Sequence, residues 1–119
     1  MNIEEVRELC LRMPFAEESM PFGDGFLVFK VGGKMFALLS LLPSKRIINL
    51  KAAPSEVLRL QEEYAAVVPA YHMNKRHWVS VHFEEAMAQD LAHWVAQSYG
   101  LVRGKLPLKI RKILDLENP

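Results

Sequence analysis

A chain of 119 residues with a formal net charge of +1 and one cysteine can bury one core, holds too little net charge for strong nonspecific polyanion attraction, and cannot close an internal disulfide. Half of its residues are apolar, yet no apolar run approaches the roughly 20 residues of a membrane-spanning helix. The acidic start Met1-Asn2-Ile3-Glu4-Glu5 lacks the features of a secretory signal, so one soluble, cytoplasmic, monomeric domain spanning residues 1–119 is the expectation.

Asn2 followed by Glu5 is a capping box, and Ile3, Val6, Leu9, Cys10 and Met13 recur at helical spacing, which predicts an amphipathic helix over residues 3–12. Cys10 falls on its apolar face and is expected to be a packing thiol. A turn-rich loop, Pro21 to Gly25, precedes two strand-like runs, Phe26 to Val31 and Lys34 to Leu41, separated by Gly32-Gly33. Two glycines accept the positive φ angles of a two-residue hairpin turn. A regular register from that turn pairs Val31 with Lys34, Phe29 with Phe36 and Leu27 with Leu38. After the turn Pro43 to Arg46, a third strand runs from Arg46 to Lys51, then a helix from Pro54 or Ser55 to about Tyr64. Val67 to Pro69 is short and extended, and Trp78 to Phe83 alternates as a strand. Glu84 to Tyr99, with Gly100 near its end, reads as the longest helix, with Trp94 in the core; Leu106 to Leu116 predicts a short basic helix. Short-turned antiparallel strands with helices before, between and after them predict an α+β two-layer sandwich, the helices on one face. Lys30, Met35, Leu39, Asn49, Lys51, Trp78, Ser80 and His82 are expected on the opposite, open face.

Charge is segregated along the chain. Gly25 to Ser55 contains Lys30, Lys34, Lys45, Arg46 and Lys51 without an acid, and Tyr64 to Phe83 adds Lys75 and Arg76, again without one. Arg103, Lys105, Lys109, Arg111 and Lys112 form a third basic stretch, so residues 106–119 read as a short basic C-terminal extension. Such segregation can create a local positive field on a nearly neutral molecule.

The densest polar block is Pro69-Ala70-Tyr71-His72-Met73-Asn74-Lys75-Arg76-His77-Trp78. Burying its polar heads unpaired would cost about 1 to 3 kcal/mol each, so a turn or strand end in reach of solvent or ligand is expected. Together with Met13-Pro14-Phe15-Ala16-Glu17-Glu18, Pro21-Phe22-Gly23-Asp24, Val28 to Ala37, Asn49-Leu50-Lys51, Ser98-Tyr99 and Lys105-Leu106-Pro107, it resembles the MmcQ/YjbR family of small bacterial proteins. The resemblance covers nearly the whole chain. It implies a CyaY/frataxin-like sandwich and a double-wing mode of DNA binding through hairpins, and it implies glycine where this chain has Phe15.

For DNA, the expected contacts are Lys30 and Lys34 on one hairpin, Lys51, and Tyr71, His72, Asn74, Lys75, Arg76 and Trp78 on the second turn, touching phosphates without reading sequence. His72, His77 and His82 recur every five residues, but that offset puts His77 and His82 on opposite strand faces, so no metal site is expected. His72 and Asp24 can be assembled into an acid–base pair only on paper, since no spacing enforces it, and a non-enzymatic domain without a cofactor is expected. The alternative is a protein-interaction module using the open sheet face.

Overall fold

The structure is a computed structural model and describes residues 1–117. Helix α1 (Ile3–Leu11) opens on the capping box: the Glu5 amide donates to the Asn2 side chain at 2.8 Å and the Asn2 amide to the Glu5 carboxylate at 3.0 Å. Val6, Leu9 and Cys10 form its buried stripe. The strands are β1 (Glu17–Ser19), β2 (Phe26–Val31), β3 (Lys34–Ser40), β4 (Ile48–Lys51), β5 (Val67–Pro69) and β6 (Trp78–Val81), in one antiparallel sheet of order β1-β2-β3-β4-β6-β5. Helix α2 (Pro54–Glu63) connects β4 to β5, while α3 (Ala88–Gly104) and α4 (Leu108–Glu117) follow the sheet. The α+β class expected from the order of elements is the one observed.

Register explains the layers. Leu27, Leu39, Ile48, Val81 and Val67 pair in sequence across the strands, and so do Phe29, Ala37, Leu50 and Val79; both rows face the helices and are buried. Between them and α1, α2 and α3 lies the core, which includes Trp94, Val95, Phe36 and Phe83.

The expected hairpin register holds only at its turn. Val31 pairs with Lys34 and Lys30 with Met35, but Phe29 pairs with Ala37 and Leu27 with Leu39. Phe36 is the extra residue of a β-bulge, so Phe36 and the neighbouring Ala37 both join the helix-side core, which regular alternation between faces forbids. The bulge is secured from α3. Ser98 Oγ donates to the Phe36 carbonyl at 2.6 Å and accepts the Lys51 amide at 2.8 Å, where the β3–β4 ladder ends. The Phe36 ring meets Tyr99 edge-on at 5.3 Å, and the Tyr99 hydroxyl donates to the Pro14 carbonyl at 2.7 Å.

Other boundaries also differ. β1 was not expected from three exposed polar residues; pairing with β2 and the Arg7–Glu18 ion pair hold it at the sheet edge. β4 starts at Ile48, not Arg46, and β6 ends at Val81, before Phe83. Residues 83–86 form a turn, with the Glu85 and Ala86 amides donating to the His82 carbonyl, so α3 begins four residues later than the periodicity suggests. It then runs through Gly100, because burial of Val102 beyond it outweighs the roughly 1 kcal/mol a helical glycine costs. The basic C-terminal segment is integrated into the fold, with Leu106 and Leu114 both in the core. No described helix is long and apolar enough to cross a membrane.

Candidate functional site

Antiparallel order brings three connections to one end of the sheet: the Gly32-Gly33 turn, the C-terminal end of β4, and the β5–β6 connection, residues 70–77. On the face away from the helices, Lys30 pairs with Met35 and Lys51 pairs with Trp78. Lys30 and Lys51 therefore stand about two strand spacings apart, roughly 10 Å. Lys34 is exposed at the hairpin turn, and Lys75 and Arg76 are exposed on the β5–β6 connection. Among the described residues, none of these five cations is in an ion pair. Among the described residues, Glu17 is the one carboxylate facing them in register, opposite Lys30 on β1.

The polar block divides into two parts. Residues 74–78 make a tight turn: the Asn74 side-chain oxygen accepts the Arg76 amide at 2.8 Å, and the Asn74 carbonyl accepts the Trp78 amide at 3.0 Å. The Asn74 oxygen is thus committed to the turn, and Nδ2 is the group left to donate. The Lys75 ammonium donates to the Ala70 carbonyl at 2.9 Å, and its stem lines a groove with Arg76 against α2.

Residues 70–72 instead fold back over the second face of the sheet. The row Val28, Leu38, Asn49, Ser80, Val68 lies there, expected to be open, yet Asn49 is 2 % and Ser80 1 % exposed. Asn49 Nδ2 donates to the Tyr71 carbonyl at 2.9 Å, the Tyr71 amide donates to Ser80 Oγ at 2.8 Å, and Ser80 Oγ donates to Asn49 Oδ1. A closed polar network of this kind leaves no buried group unpaired, which fixes the segment in place. Leu39, expected on this face, lies in the helix-side core because of the bulge.

Tyr71 and His72 consequently leave the sheet end and form the wall between two depressions. One, of about 320 Å³, is lined by Lys45, Tyr71, His72, Lys75, Ser80 and His82 among others. The other, of about 200 Å³, is lined by Phe22, Phe26, Leu38, Tyr71 and His72. Lys45 Nζ sits 4.0 Å from the centre of the Tyr71 ring, a cation–π contact, and His72 packs edge-on to that ring with its backbone at φ 54°. Lys45 and His82 were not among the expected contacts. In the sequence Lys45 is one cation of the acid-free span, inside a four-residue turn, with nothing to show that the turn folds beside Tyr71. His77 does not join this wall. Among the described residues no three His, Cys, Asp or Glu side chains gather as a metal-binding group.

The sequence model of the YjbR family matches residues 11–101. The chain is 44 % identical over 103 residues to the uncharacterized protein YbdF of Escherichia coli O157:H7, covering 83 % of this chain and 82 % of that protein. It is 27 % identical over 115 residues to the uncharacterized protein YjbR of Escherichia coli strain K12, covering 96 % and 98 %. Among solved structures, Deinococcus radiodurans protein DR2400, with domain DUF419, superposes with a TM-score of 0.85 at 32 % identity, over 96 % of this chain and 88 % of that one. A Pseudomonas syringae protein superposes with a TM-score of 0.75 at 26 % identity, over 86 % and 99 %.

Proposed function

The chain belongs to the YjbR family, and from that footing we propose that it binds nucleic acid without catalysis, weakly and without sequence preference, through the basic end of its sheet. The observation that carries this reading is the convergence of Lys34, Lys51, Lys75 and Arg76 on the end where the β2–β3 turn and the β5–β6 connection project together, each cation free of a carboxylate partner among the described residues. Unpaired lysine and arginine heads gain most from displacing counterions condensed on a phosphate backbone. Lys30 contributes less, because Glu17 stands opposite it. Trp78, half-buried beside Lys51, offers an indole edge to a sugar or base without anchoring one.

Fluorescence anisotropy with a labelled duplex, titrated at several salt concentrations, tests the proposal. The wild type is expected to bind measurably at low salt, and Lys34→Ala with Arg76→Ala to lower the slope of log affinity against log salt by about 0.9 for each phosphate no longer neutralised. Neither residue is buried, so the fold should be retained. Absence of binding to duplex and single-stranded DNA at low salt, or an unchanged slope in the double variant, would end this reading.

A further inference from the structure

We infer that the two depressions separated by Tyr71 and His72 form one binding site for a small phosphorylated aromatic molecule, adjoining the sheet-end surface and sharing only Lys75 with it. Two ammonium groups line the larger depression, and each is held by a partner that leaves its charge intact. Lys75 Nζ is fixed by the Ala70 carbonyl at 2.9 Å, and Lys45 Nζ by the face of Tyr71 at 4.0 Å from its centre. An ammonium carries three donors, so each retains hydrogens for an anion. Among the described residues, no carboxylate lines this depression. Glu84 and Glu85 line a neighbouring groove that Lys45 and His82 also border, and Glu84 is paired there with Arg46.

The smaller depression supplies the apolar half. Phe22 is 67 % exposed on its rim, although burial of an aromatic ring is strongly favourable, while Phe26 and Leu38 form its floor. About 200 Å³ exceeds the roughly 150 Å³ that admits benzene in an engineered protein cavity. Because Tyr71 and His72 line both depressions, an aromatic ring in one and an anionic group in the other lie a single side chain apart. The wall itself is rigid: Tyr71 is hydrogen-bonded at both its amide and its carbonyl to the buried Ser80 and Asn49. A preorganised wall lowers the ordering cost of binding.

Phenyl phosphate is the probe, with inorganic phosphate and benzyl alcohol as its two halves, followed by amide chemical shifts in NMR titrations. Phenyl phosphate is expected to shift Tyr71, His72 and Phe26 and to bind about tenfold tighter than either half, as expected when one molecule gains both contacts. Lys45→Met is expected to weaken phenyl phosphate about tenfold, and Phe22→Ala to bring it down to the level of inorganic phosphate. Phe22 is exposed, so its replacement does not threaten the fold. Arg12→Ala, which removes a cation from the end of α1 on the helix side, is expected to change nothing. Equal binding of benzyl alcohol and phenyl phosphate, unshifted Tyr71 and Phe26 amides, or wild-type affinity in Lys45→Met would each overturn the inference.

Discussion

Phe15 has φ 61°, a left-handed backbone that costs a β-carbon-bearing residue roughly 1 to 2 kcal/mol, yet its ring is half-buried against the core. Family resemblance implies glycine here, and the backbone shows the reason: only glycine takes this angle without strain. The phenyl ring therefore contributes packing at the expense of geometry. The two effects separate in a pair of variants. Phe15→Ala should lose about 2 kcal/mol in urea unfolding, from ring burial with the strain left in place, whereas Phe15→Gly should recover about 1 kcal/mol of that loss. Equal stabilities for the two would mean that the left-handed angle is relaxed in solution. His72 holds a similar angle, φ 54°, but histidine is more often tolerated there, and its ring rests on Tyr71.

At the scale of elements, the β2–β3 turn couples the sheet to the C-terminal segment. Gly32 and Gly33 both have positive φ, but a β-carbon on Gly32 would stand 2.6 Å from Leu106 Cδ1, whereas one on Gly33 meets none of the described residues within 4 Å. Gly33→Ala should thus cost about 1 kcal/mol from backbone strain alone, and Gly32→Ala about 3 kcal/mol, since the buried Leu106 must also move. Equal costs in denaturant titrations would show that Leu106 yields freely. The existence of that turn was legible in the sequence, because Gly-Gly between apolar runs has few other uses. The bulge that follows in β3 was not: Phe36 and Ala37 are both acceptable on either face, and what selects the shifted register is Ser98, 62 positions away. Contacts between separate elements also hid the cleft. The block from Tyr71 to Trp78 was visible as chemistry, but its division depends on Asn49 and Ser80, whose side chains pull residues 70–72 across the sheet and leave 74–78 at its end.

Across the whole molecule, α1, the sheet and α3 share one core, so a charge that appears inside it destabilises the entire fold. Cys10 is fully buried in that core, and burial pushes its thiol up to about 12 from 9.0. Burial also raises the Tyr99 phenol, against a smaller opposing effect of Arg103. In both cases the native state holds its proton more tightly than the unfolded chain does. Between the two thiol pKa values the unfolded state is ionised while the native state remains protonated, so unfolding releases a proton and stability falls as pH rises. The contribution of Cys10 is fully present below pH about 9 and lost by about 12, at about 1.4 kcal/mol per pH unit in between. Cys10→Ala removes this dependence while leaving that of Tyr99. Urea unfolding of the two proteins from pH 8 to 11 should therefore show the alanine variant less stable at pH 8, where it lacks the thiol's packing, and the gap closing steadily above pH 9. A gap that stays constant would mean that the thiol ionises without global unfolding, through a local opening in which α1 separates from the sheet at a lower cost.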